Sequence, residues 1–300
     1  MKTIRLVLLV CLTGGLACNT ISGALATPQS GPRSEDIQTA IAQTQQAGGG
    51  APAPTPPPIS VSPPVPTAPP AGPTAPGPGA GQPEEAILIL KPGPQSEVVS
   101  PVHVAGTADP TFEQTLAVQI IGEDGSELAS ATATIGADAG QRGPFAVDVP
   151  FTTASNQHGR IVVSAQSPRD GGTVHLASVE VVLLASGTAS IQPGKLHPET
   201  LGIREPAVNA TLSGGMAHVS GISGPTPEQT LVVEVTDADG NTVGSGTATI
   251  SAATGQPGIF DADVAYTVPD ERPGRVVVYA TSPRDGGILH LSSVEVTLKP

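Results

Sequence analysis

The string SPRDGG stands at Ser167–Gly172 and again at Ser282–Gly287, an offset of 115 residues (282 − 167). The same offset relates EQTL at Glu113 and Glu228, Phe145 and Phe260, Phe151 and Tyr266, and SVEV at Ser178 and Ser293. No gap is needed from Glu113 to Leu183; nearer the start, the second copy carries one extra residue. This tandem duplication constrains the fold more than any other feature. Two units of about a hundred residues suit two small domains, whereas a solenoid shows at least three shorter repeats.

Both copies read as strands. Leu116, Val118 and Ile120 alternate with Ala117 and Gln119, and EDG at Glu123–Gly125 supplies a hairpin turn. Leu231, Val233 and Val235 repeat the pattern before DADG at Asp237–Gly240. ILIL, VHVAG, FAVDVPFT, GRIVVSAQ and LASVEVVLL bring the first copy to about seven strands, and neither copy shows a helical period. Short strands with frequent turns predict a two-sheet antiparallel sandwich. Phe145, Phe151, Phe260, Tyr266 and Tyr279 are the expected large core fillers. The fold class expected is all-β, two tandem sandwiches at 85–185 and 201–300 joined by a linker at 186–200.

The order KPGPQSEVVSPVHVAGTA, EDG, PFAVDVPFT, GRIVVSAQSPRDGG and SVEVVL resembles the immunoglobulin-like domain of bacterial spore germination, also called Gmad2. The second copy matches from IREP through SVEVTL, and together the copies cover about two-thirds of the chain. The resemblance implies immunoglobulin-like sandwiches on an exported bacterial protein, often a lipoprotein. It brings no catalytic residues, and a role in germination is implied by the family name alone.

The N-terminal end carries different information. Lys2, Arg5 and the short apolar run Ile4–Leu12 read as a secretory signal within residues 1–26. Two cleavage sites compete. GLAC at Gly15–Cys18 resembles the bacterial lipobox, although Gly15 stands where leucine is usual; lipidation would then fall on Cys18. The rival is ALA at Ala24–Ala26, which would release a secreted protein. The expected location is the bacterial cell envelope, anchored by lipid to a membrane face, with secretion as the alternative.

Residues 27–84 read as a tether. Ser34–Ala47 could form a short, frayed helix, and Gly48–Pro83 is almost all Ala, Pro, Gly and Thr, a composition that stays disordered. At about 3 Å per residue such a segment could hold a folded body up to roughly 100 Å from an anchor.

Cys11 leaves with the signal, so no disulfide can staple the domains. A net charge of −13 argues against nucleic acid. Aromatics are only 2% of residues, too few for stacking platforms.

SPRDGG has the chemistry of a tight turn: Pro168 fixes φ, Asp170 can bond the following backbone, and Gly171 and Gly172 permit positive φ. The functional reading is that Arg169 with Asp170, and Arg284 with Asp285, project from loops that bind a partner. Arg160 and Arg275 are possible mates for these aspartates. DADG lacks the further ligands of a calcium loop. His103 corresponds to His218, and His175 to His290, which invites a metal hypothesis. Surface or rim positions are the default for all four, and no metal or cofactor is expected. His175 shares strand parity with Val179 and Val181, whereas His103 opposes Val102 and Val104. Glu180 and Glu295 are lone carboxylates with no acid partner, and no nucleophile elbow is present, so an enzyme is not expected.

The function expected is a non-catalytic interaction or structural protein presenting two immunoglobulin-like domains on a flexible stalk. Its partner is an envelope protein or cell-wall polymer, and it meets the membrane only through the lipid anchor. The alternative is a carbohydrate- or cell-wall-binding module, which requires an exposed aromatic platform or a calcium site.

Overall fold

The computed structural model describes residues 84–300. The signal, Cys18, the short helix expected at Ser34–Ala47 and the proline-rich tether through Pro83 lie outside the described residues. Each copy supplies eight strands. The first has β1 (Ile87–Lys91), β2 (Glu97–Val98), β3 (Val102–Ala108), β4 (Thr115–Ile121), β5 (Glu127–Thr134), β6 (Gly143–Val149), β7 (Gln157–Gln166) and β8 (Thr173–Leu183). The second has β9 (Leu201–Glu205), β10 (Ala210–Leu212), β11 (Met216–Ser223), β12 (Thr230–Asp237), β13 (Thr242–Ser251), β14 (Gly258–Ala265), β15 (Arg272–Thr281) and β16 (Ile288–Leu298). These are the seven expected strands plus one very short strand, β2 or β10, in each copy.

In the first sandwich, the sheet β1-β3-β6 faces β5-β4-β7-β8; in the second, β9-β11-β14 packs against β13-β12-β15-β16 and is joined to it where β13 pairs with β14. Alternation builds the cores. Val102, Val104 and Ala108 of β3 point inward with Leu116, Val118 and Ile120 of β4. Val233, Val235, Phe260 and Tyr266 do the same in the second body. The expected fillers Phe145 and Phe151 sit in the first core, while Tyr279 lies beside the junction of the two domains. The EQTL repeat has a structural cause. Gln114 and Gln229 are buried at positive φ (54° and 55°), and each side-chain amide donates to three carbonyls of the loop that follows β5 or β13, the far strand of the next hairpin.

The linker lies bound along the first domain. Ser190 and Glu97 exchange backbone hydrogen bonds of 2.8 and 2.9 Å, and Gly194 donates to the Leu90 carbonyl at 2.8 Å. A side chain at Gly194 would strike the Ile89 carbonyl oxygen, so the close approach demands glycine.

The sandwiches then join edge to edge. β8 and β16 pair antiparallel, with His175 opposite Ser292, Leu176 opposite Leu291 and Ala177 opposite His290. Leu176 and Leu291 are equivalent in the duplication, so a local twofold axis passes between them. The two four-stranded sheets become one continuous sheet, and the outer edges of two strands that would template aggregation are covered.

Candidate functional site

The junction has two faces, and each collects polar groups. On the outer face, SPRDGG is a true turn. Gly171 donates to the Ser167 carbonyl at 2.9 Å and Gly286 to that of Ser282 at 2.8 Å, with Gly171 and Gly286 at φ +71° and +68°. Asp170 and Asp285 each accept the amide hydrogen two residues on, from Gly172 and Gly287, both at 3.0 Å. That leaves carboxylate capacity to spare, and the other domain uses it. Arg275 donates to Asp170 at 2.6 Å, and Arg160 donates to Asp285 at 2.8 Å.

Most of the exchange is reciprocal. Arg169 donates to the Gly274 carbonyl at 2.7 Å and lies 3.5 Å from Glu295; Arg284 lies 3.5 Å from Glu180. Ser167 bonds Glu295 and Ser282 bonds Glu180. Ser178 donates to the Leu289 carbonyl at 2.9 Å, and Ser293 to that of Thr173 at 2.6 Å. Such self-complementary pairing of equivalent residues is the hallmark of an isologous twofold interface, here within one chain. Val162, Leu176 and Leu291 form a small apolar cluster under it.

The two central arginines are almost wholly buried, their side chains 2% (Arg160) and 4% (Arg275) exposed. Burial pushes the Asp170 carboxyl up, but hydrogen bonds from Arg169, the Gly172 amide and Arg275 outweigh it and hold it down at about 2. For Asp285 burial is likewise outweighed by Arg160 and the Gly287 amide, which hold it well below the carboxylate range. The sequence-nominated residues Arg169, Asp170, Arg284 and Asp285 are therefore each engaged with the opposite copy of the same chain.

The inner face holds a nest of histidines and carboxylates. Parity with Val179 and Val181 turns His175 inward, as the sequence suggests, and the local twofold brings His290 to the same face. Glu85, fully buried at the start of the first domain, lies with Oε1 3.3 Å from His175 Nε2. Glu199 of the linker lies with Oε1 3.4 Å from the same nitrogen. His197 Nδ1 lies 3.4 Å from Glu85 Oε2, and His290 Nδ1 lies 4.0 Å from Glu85 Oε1.

Burial raises the Glu85 pKa, but His175, His197, His290 and Thr200 outweigh it and keep the carboxylate ionised. Burial and the neighbouring Glu85 raise that of Glu199. For His175 burial opposes the proton, yet Glu85 and Glu199 prevail and raise its pKa. Glu85 also raises His197, whereas burial lowers His290 to about 4. Glu85, His175 and Glu199 each offer a ligand atom, all within 4.8 Å of one another. Sequence reasoning singled out His175 and His290 but missed both glutamates, which lie outside the gap-free part of the repeat.

Elsewhere, His103 is exposed against Asp148 at 2.7 Å, and its equivalent His218 against Asp263 at 2.9 Å. Asp237 of DADG accepts the Asp239 and Asn241 amides, the bonding of a turn. Glu180 and Glu295 face Arg160 and Arg275 at 3.5 and 3.2 Å.

The family described as the immunoglobulin-like domain of bacterial spore germination (Gmad2) matches residues 86–172 and 201–287. No curated protein matches the chain. Among solved structures, the titin domains z1z2 in complex with telethonin share 16% identity over 72% of this chain and 96% of that one, with a TM-score of 0.17. Dimeric latent PorU from Porphyromonas gingivalis shares 10% over 71% of this chain and 24% of its own length, at a TM-score of 0.19. A β-glucuronidase from Ruminococcus gnavus shares 16% over 70% and 37%, at 0.20.

Proposed function

The chain belongs to the family of the immunoglobulin-like domain of bacterial spore germination, which it carries twice, and we propose that it is a non-catalytic, envelope-tethered interaction module. Its two sandwiches act as one rigid body. The observation that carries this reading is the crosswise engagement of the SPRDGG loops, which gives them a task inside the molecule. A partner then meets the outer sheet faces and the remaining loops, at a spacing fixed by the junction.

The placement of the aromatics supports a protein partner over a glycan. Phe145, Phe151, Phe260 and Tyr266 fill the cores, and Tyr279 hydrogen-bonds Glu234; Phe112 alone stands well exposed. One isolated ring makes no stacking platform for sugars. The family name supports a place in germination, and the lipobox-like GLAC supports anchoring through Cys18.

The test is to couple the full chain to beads and identify retained envelope components by mass spectrometry. Saturable capture of a discrete protein is expected. Saturable glycan binding without a protein partner would overturn the reading in favour of a carbohydrate-binding module. The anchor is tested by fatty-acid labelling: loss of label in Cys18→Ala is expected, and equal labelling of both forms excludes it.

A further inference from the structure

We propose that the inner-face nest is a structural site for a divalent transition metal, with zinc the fitting ion, held by Glu85, His175, Glu199 and His290. Nothing in this inference depends on the identity of the module's partner.

Three observations carry it. The first is spacing. Ligand atoms about 2.0–2.2 Å from a tetrahedral zinc lie roughly 3.3–3.6 Å from one another. His175 Nε2 stands 3.3 Å from Glu85 Oε1 and 3.4 Å from Glu199 Oε1, tetrahedral edges that are long for hydrogen bonds.

The second is an orphaned donor. His290 Nδ1 is shielded from solvent and has no hydrogen-bond partner, although it faces Glu85 Oε1 at 4.0 Å. Buried polar atoms are almost always satisfied. A metal drawing His290 inward would satisfy this one and complete four ligands.

The third is orientation. The Ala86 amide donates to Glu199 Oε2 at 2.9 Å, and the Thr200 amide to Glu85 Oε2 at 2.8 Å. Each carboxylate is thus held by its far oxygen with the near one turned to His175, and Glu199 Oε1 also accepts the Leu201 amide at 3.2 Å, the outer support that metal ligands receive in built sites.

The donor set selects the ion. Imidazole with carboxylate suits zinc and its first-row neighbours, whereas calcium and magnesium prefer oxygen alone. Two carboxylates neutralise a divalent charge, which a buried site requires. Four protein donors leave no open position, so the role is structural. The ligands come from the start of the first domain, β8, the linker and β16, so the ion would tie all four together.

The test strips the full chain with a chelator and titrates it with Zn2+ against a chromophoric chelator, then repeats with Co2+ to read coordination by absorption. One equivalent with a tetrahedral cobalt spectrum is expected, with a rise in Tm. Glu199→Gln, Glu85→Gln and His290→Ala should each weaken affinity at least about 10-fold. His218→Ala should leave it unchanged, although His218 sits among Glu205, Asp261 and Asp263. Circular dichroism shows which variants fold, and Glu199→Gln serves if Glu85→Gln does not. No binding by wild type at micromolar zinc would overturn the proposal. So would binding that survives in folded Glu199→Gln and His290→Ala, or binding lost in His218→Ala.

Discussion

Arg160 and Arg275 decide the junction at the residue scale. A buried guanidinium without its carboxylate leaves an uncompensated charge, so removing one partner costs about 3–5 kcal/mol. Asp285→Ala should therefore lower the urea midpoint sharply. Arg160→Met combined with Asp285→Leu should recover much of the loss, because an apolar pair carries no desolvation penalty. The same pairs set an acid limit. Asp170 is held at about 2 and Asp285 is also depressed, against about 3.9 for a free aspartate. A depressed carboxylate binds fewer protons when folded than when unfolded. Its contribution is complete above about pH 4 and is lost as pH falls through the folded value. Urea midpoints measured from pH 5 to pH 2 should fall most steeply between 4 and 2. The fall should be shallower in Asp170→Asn with Asp285→Asn.

The two glycines of the SPRDGG turn separate local from distant demands at the scale of the element. Gly286 needs its left-handed conformation (φ +68°) and has open space around it. Gly286→Asn should cost no more than about 1 kcal/mol, since asparagine tolerates that region. Gly287 has no such φ, but a Cβ there would overlap an Arg160 guanidinium nitrogen. Gly287→Ala should displace the arginine and cost about 1–3 kcal/mol, read by urea denaturation. This contrast shows what the sequence could reveal. The strands, the turn and the first glycine were legible because alternation and φ are local. The crosswise mating was not. Arg160 could meet Asp170 of its own copy or Asp285 of the other, and a perfect repeat looks the same in both cases. The nest was illegible for a second reason: Glu85 and Glu199 have no strand pattern to announce them, and only folding brings them to His175.

For the whole molecule, the duplication has become an internal dimer. Equivalent residues face each other across one axis, the geometry of an isologous dimer, but the linker makes the encounter intramolecular and so raises its effective concentration. The linker also belongs to the first body, through Ser190 and Gly194. Both sandwiches fall within one compact unit. They should consequently unfold together rather than as beads on a string. Weakening both clamps, in Asp170→Ala with Asp285→Ala, should split the transition. Scanning calorimetry of the wild-type chain is the most direct measurement. One transition with equal calorimetric and van't Hoff enthalpies is expected, and two well-separated transitions of similar size would contradict the single rigid body.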